Sequence, residues 1–109
     1  MKILHVIKSE EWNKLDSFWS DEYLRHIGFI PCCTDETLKY VLRYYLSKYT
    51  IKELMIVEIN STKVTSDIKW EEWKKSGNIY PHIYGAINQE AIVDVYSINE
   101  WNKREENGI

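Results

Sequence analysis

The sequence is short of the residues that make linkers and loops. It has four glycines and two prolines in 109 residues, too few for a flexible tether or a low-complexity segment. The glycines at 28, 77, 85 and 108 are scattered, which excludes a phosphate-binding loop and a GxGxxG turn. No apolar run approaches the roughly 20 residues that cross a bilayer. The opening Met1-Lys2-Ile3-Leu4-His5-Val6-Ile7-Lys8 alternates too strictly and is too short to read as a signal peptide. Positive charge is outweighed: 14 basic side chains stand against 17 acidic ones. A net charge of −3 without a basic cluster argues against duplex DNA, where phosphate neutralisation supplies most of the affinity. Three histidines with no HxxxH or HxH pair predict no metal site. The two cysteines, Cys32 and Cys33, are adjacent and lack CxxC spacing. They read as free thiols in a reducing compartment, one facing the core and one facing outward. The expectation is a cytoplasmic, membrane-free single domain over residues 1–109, with a core over about 2–98 and a polar, fraying tail over 99–109.

Aromatic residues are plentiful: five Trp, eight Tyr and two Phe. Each buries about 150–250 Å², more than a domain of this size needs to close its core. The surplus suits either a ring-walled cleft or a partner interface.

Periodicity gives the outline. Lys2 to Ile7 reads as a strand with Ile3, His5 and Ile7 on one face and Leu4 and Val6 on the other. Ser9, Glu10 and Glu11 open a helix to about Phe18, with Trp12, Leu15 and Trp19 on its inner face. Gly28 to Cys33 reads as a short strand, placed at an edge or bulged by Pro31. Thr34 caps a second helix carrying Leu38, Val41, Leu42, Tyr45, Leu46 and Tyr49. Glu53 to Ile59 is nearly continuously apolar, as in a central strand. Lys63 to Thr65 is a candidate short strand, and Asp67 to Lys75 a short helix or ordered loop. Tyr80 to Ile87 and Ala91 to Ile98 are strands. The order predicts an α+β domain, two main helices on a bent antiparallel or mixed sheet. A ferredoxin-like sandwich fits poorly, because the chain closes on strands without a helix.

Tyr80-Pro81-His82-Ile83-Tyr84-Gly85 is the densest polar-aromatic cluster. A strand would turn His82 and Tyr84 to the same side, with Tyr80. An imidazole beside phenols can hydrogen-bond a sugar or phosphate; the same spacing also describes an interior histidine among core tyrosines. His5 has the same two readings. Glu71, between Trp70 and Trp73, is either a carboxylate in an apolar wall or part of a solvated turn. His26 reads as a loop residue.

Three segments taken together resemble a known bacterial group, the domain-of-unknown-function family 952. They are Ile3-Leu4-His5-Val6-Ile7 followed by Glu11-Trp12, then Gly28-Phe29-Ile30-Pro31-Cys32-Cys33, then Tyr80-Pro81-His82-Ile83-Tyr84-Gly85. The family pattern is a strand ending in His, a Trp on the next helix, a GFIH-C-S segment, an acidic position matched by Glu71, and FPH-x-YG. The resemblance implies an ADP-ribosyltransferase-like fold, a split and bent sheet gripping NAD or an ADP-ribose group. It implies a small nucleotide ligand and no resident cofactor. Ligand contacts would come from His5, Trp12, Cys33, Tyr80, His82 and Tyr84. Glu71 and His82 would be catalytic, Glu71 stabilising positive charge at an anomeric carbon. Pro31 and Cys33 stand where the family usually has histidine and serine, which favours binding over turnover. The alternatives are a non-catalytic nucleotide sequesterer and a protein–protein module anchored by its surplus rings.

Overall fold

In a computed structural model, which describes residues 1–14 and 22–107, the chain folds into two three-stranded antiparallel sheets. The first contains β1 (Lys2–Lys8), β3 (Leu54–Asn60) and β6 (Ile92–Ser97), with β3 in the middle. The second contains β2 (Ile30–Pro31), β5 (Ile79–Tyr84) and β4 (Asp67–Glu72), with β5 in the middle. The helices are α1 (Ser9–Lys14), α2 (Glu22–Ile27), α3 (Leu38–Leu46) and α4 (Ile98–Asn107). The expected positions of Leu15, Phe18 and Trp19 lie outside the described residues.

The alternation of β1 sorts the core into two clusters. Ile3 and Ile7 join Ile30, Cys32, Val57, Ile59 and Ile83. Leu4 and Val6 face the other way, with Cys33, Leu38, Tyr45, Ile56 and Trp101. Both faces of β1 and β3 are therefore covered, which is why Glu53 to Ile59 carries so little polarity. Cys32 and Cys33 do point to opposite faces, but both faces are interior and both thiols are free. The expectation that one of them faces outward is corrected.

The sheets meet at a narrow seam. Leu4 and Cys33 exchange two backbone hydrogen bonds, of 2.8 and 2.7 Å, outside the regular ladders. Pro31 sits on the edge strand β2, as its missing donor requires. Pro81 lies in the middle strand, yet β4 loses no bond to it. Its carbonyl accepts from the Cys32 amide at 2.9 Å, so its amide side faces β2 and not β4.

Four sequence expectations change. Asp67 to Glu72 is a strand, paired from Asp67 opposite Tyr84 to Glu72 opposite Ile79. Its charged side chains suit an edge, where they deter pairing with other chains. Lys63 closes a 3₁₀ turn, Ser61–Lys63, and makes no strand. The supposed polar tail is α4, which buries Ile98 and Trp101; Arg104 on that helix pairs with Glu58 at 2.8 Å. α3 begins at Leu38 with Thr37 at its N-cap, while Thr34 accepts the Leu38 amide one turn earlier. No helix among the described residues is long and apolar enough to cross a membrane.

Candidate functional site

A cleft of about 350 Å³ opens over the seam. Leu4 and Val6 of β1 form its floor with Pro31 and Cys33; Tyr80 and His82 of β5 close one side. α3 supplies the opposite wall through Tyr40, Tyr44 and Tyr45, and Trp73, Lys74 and Ser76 come from the segment after β4. That segment turns sharply: Lys74 and Lys75 have φ of 50° and 57°, followed by Gly77 at 82°. Glu72 anchors the turn by accepting the Gly77 amide at 2.7 Å. Lys74 is the lining cation, and no carboxylate lines the cleft among the described residues. At the rim, the hydrogen bond from Lys48 draws the Tyr44 hydroxyl below its ordinary pKa, and Lys74 adds to this.

His82 stands where the cleft meets a polar cluster. The β4–β5 register places Glu71, Lys69, His82 and Tyr84 on one face. His82 Nδ1 lies 3.0 Å from Glu71 Oε1, and Tyr84 donates its hydroxyl to the same oxygen at 2.5 Å. These bonds, Tyr84's first, hold the Glu71 carboxyl below its ordinary pKa and raise that of Tyr84. An ionised carboxylate only accepts, so Nδ1 of His82 carries the proton. The ring is clamped on its faces: Phe29 stacks at 4.1 Å and 18°, and Trp73 meets it edge-on at 5.9 Å. Lys69 Nζ lies 4.6 Å from the centre of the Tyr84 ring.

The structure unites Tyr80, His82 and Cys33 at the cleft and ties Glu71 and Tyr84 to His82 from outside the lining. His5, Trp12 and Glu71 lie outside that lining. His5 is 1% exposed; its Nδ1–H donates to the Pro31 carbonyl at 2.7 Å. That bond satisfies a backbone acceptor where β2 ends. Trp12 packs against the first core cluster. The Glu71 side chain is 40% exposed and takes two hydrogen bonds, so the structure does not bring it to an anomeric carbon in the cleft. Burial, with a smaller push from Asp35, raises the Cys33 thiol to about 12, leaving it protonated and a poor nucleophile. His26 ends α2. Gly85 admits the close approach of another segment: Ser66 packs into the space that a Cβ there would occupy. No group of three potential metal-binding side chains occurs among the described residues.

Sequence reasoning missed Phe29 and Lys69. Phe29 stood in a quoted motif, between Gly28 and Ile30. Lys69 faces His82 only through the β4–β5 register, which the helix-or-loop reading of that segment concealed.

Comparison with curated proteins finds no match. Among solved structures, protein CC0527 from Caulobacter crescentus superposes with a TM-score of 0.70 at 17% identity, covering 87% of this chain and 83% of that one. A double-methionine mutant of CC0527 gives 0.69 at the same identity and coverage. At that identity the likeness establishes a shared fold. Residues 5–95 match the family described as Protein of unknown function (DUF952), and the chain belongs to that family.

Proposed function

We propose that the seam cleft binds the nucleoside end of an NAD-derived or ADP-ribose-containing nucleotide, in a domain built on the ADP-ribosyltransferase-like plan. The observation that carries this reading is the cleft itself. A split between two sheets is walled by tyrosines on α3 and by Trp73, with His82 at its side. Flat rings suit a base, since stacking is worth about 1–3 kcal/mol per base. Lys74, with no acidic side chain in the lining, suits a phosphate although the chain as a whole is acidic. The volume lies at the low end of the ~300–1,000 Å³ typical of small-molecule sites. It suits one ring-bearing half of a dinucleotide, leaving the remainder at the mouth. Calorimetry with NAD, ADP-ribose and cyclic relatives tests the reading. Saturable heat is expected, and folded protein giving none at millimolar ligand would remove it.

The position of Glu71 outside the lining favours a second reading, a binder that leaves the nucleotide intact. Pro31, which brings no titratable side chain to the cleft, points the same way. Mass spectrometry of recovered ligand separates the two. Unaltered nucleotide after long incubation supports the binder, whereas cleaved or transferred ADP-ribose supports the enzyme.

A further inference from the structure

We propose that Glu71 and Tyr84 are positioning residues that fix His82 as its Nδ1–H tautomer, so that Nε2 becomes the cleft's proton acceptor for a ligand hydroxyl. The inference rests on the cleft being a ligand site, but not on which nucleotide fills it. His82 is 2% exposed and lines the cleft. Its Nδ1 is committed to Glu71. No buried side-chain nitrogen or oxygen among the described residues lacks a partner. Among the described residues Nε2 has no bonded partner, and His82 is one of the residues lining the cleft, so this is the nitrogen assigned to the cleft.

The surroundings suit proton exchange. A carboxylate accepting from Nδ1–H holds the imidazole in one tautomer and one orientation, the part a buried acid plays behind a catalytic histidine. Tyr84 donates to the same oxygen, which fixes the Glu71 carboxylate and keeps it ionised. Phe29 stacks on the ring and Trp73 meets it edge-on, contacts that favour this orientation. The charged groups around this cluster are Asp67, Lys69 and Glu71 on β4 and Lys74 at the cleft. The ligand group recognised is one that donates a hydrogen bond beside an aromatic ring, as a ribose hydroxyl does.

The test needs no ligand. Long-range ¹H–¹⁵N spectra of the uniformly labelled full chain report the tautomer of each of its three imidazoles. Diethyl pyrocarbonate, which acylates an unprotonated ring nitrogen, reports access to Nε2. The wild type is expected to show His82 as Nδ1–H and to be acylated there, while His5 is spared. Glu71→Gln should lose the single tautomer and slow acylation of His82 by about threefold, because a ring free to take either tautomer presents an unprotonated Nε2 for less of the time. Tyr84→Phe should produce the same changes to a lesser degree, with the fold confirmed by the amide spectrum of each variant. An Nε2–H tautomer in the wild type, His82 resistant to acylation, or a tautomer and rate unchanged in Glu71→Gln would each overturn the proposal. Failure of the nucleotide calorimetry alone would leave these outcomes untouched, so the two ideas fail separately.

Discussion

His5 and His82 are almost equally hidden, at 1% and 2% exposure, and both touch the Pro31 segment. His5 gives its Nδ1 proton to the Pro31 carbonyl, whereas His82 lies opposite Pro31 in the β2–β5 register and gives its proton to a carboxylate. A carbonyl partner satisfies backbone and holds two sheets in place. A carboxylate partner, itself held by a phenol, fixes which ring nitrogen carries the proton. Burial alone does not tell these histidines apart; the acceptor does, and so does the cleft that only one of them lines.

The comparison breaks most visibly through stability. His5→Leu leaves the Pro31 carbonyl without its donor in a sealed interior, a loss of about 1–3 kcal/mol. Chemical denaturation is expected to show that loss, with nucleotide binding by the remaining folded protein little changed. His82→Gln should do the reverse. Its amide can still donate to Glu71, so stability falls by about 1 kcal/mol or less, while affinity for a hydroxyl-bearing ligand falls about tenfold with the missing bond. If both variants lose stability alone, the two histidines are equivalent core residues and the site reading fails.

The next effect is a pH dependence. Tyr84 and His82 hold the Glu71 carboxyl below its ordinary value of 4.5. A folded-state value below the unfolded one adds stability above the ordinary value, and the contribution fades as pH falls below it toward the depressed value. Glu71→Gln should therefore match the wild type more closely as the pH drops through that window. The carboxylate is partly solvated, so the difference is small and is best read as the convergence of two denaturation midpoints. Midpoints that stay parallel from neutral pH to well below 4.5 would mean that Glu71 makes no net contribution through ionisation.

Legibility in the sequence follows the range of the interactions that stabilise each element. β1, β3 and α3 carry their own periodicity, because each buries a face with apolar residues at regular spacing. β4 does not: Asp67, Lys69, Glu71 and Glu72 look like a solvated turn, and the strand is made by its ladder to β5. α4 hides for the same reason, since Ile98 and Trp101 are its buried anchors in an otherwise polar stretch. The His82–Tyr84 side of the site was readable from alternation. Its bond to Glu71 was not, because a helix or loop at 67–75 gives no register between residues 11 apart. His5 was placed on the correct face of β1, but its partner is a carbonyl 26 residues away, for which no side-chain pattern exists.

The smallest expected effect concerns the segment the two histidines share. Cys33 exchanges both seam hydrogen bonds with Leu4 and borders the cleft, so its thiol is near a ligand without being available to one. It is 1% exposed, and burial raises its pKa to about 12. At pH 8 the thiolate fraction is then about one part in ten thousand, against roughly a quarter for an ordinary cysteine of pKa near 8.5. A thiol reagent such as dithionitrobenzoate should leave native Cys33 unmodified over hours and label it promptly in denaturant. Rapid labelling of the native protein would mean that the seam opens on its own. The two sheets would then move as separate bodies, and the cleft volume would be one value among several.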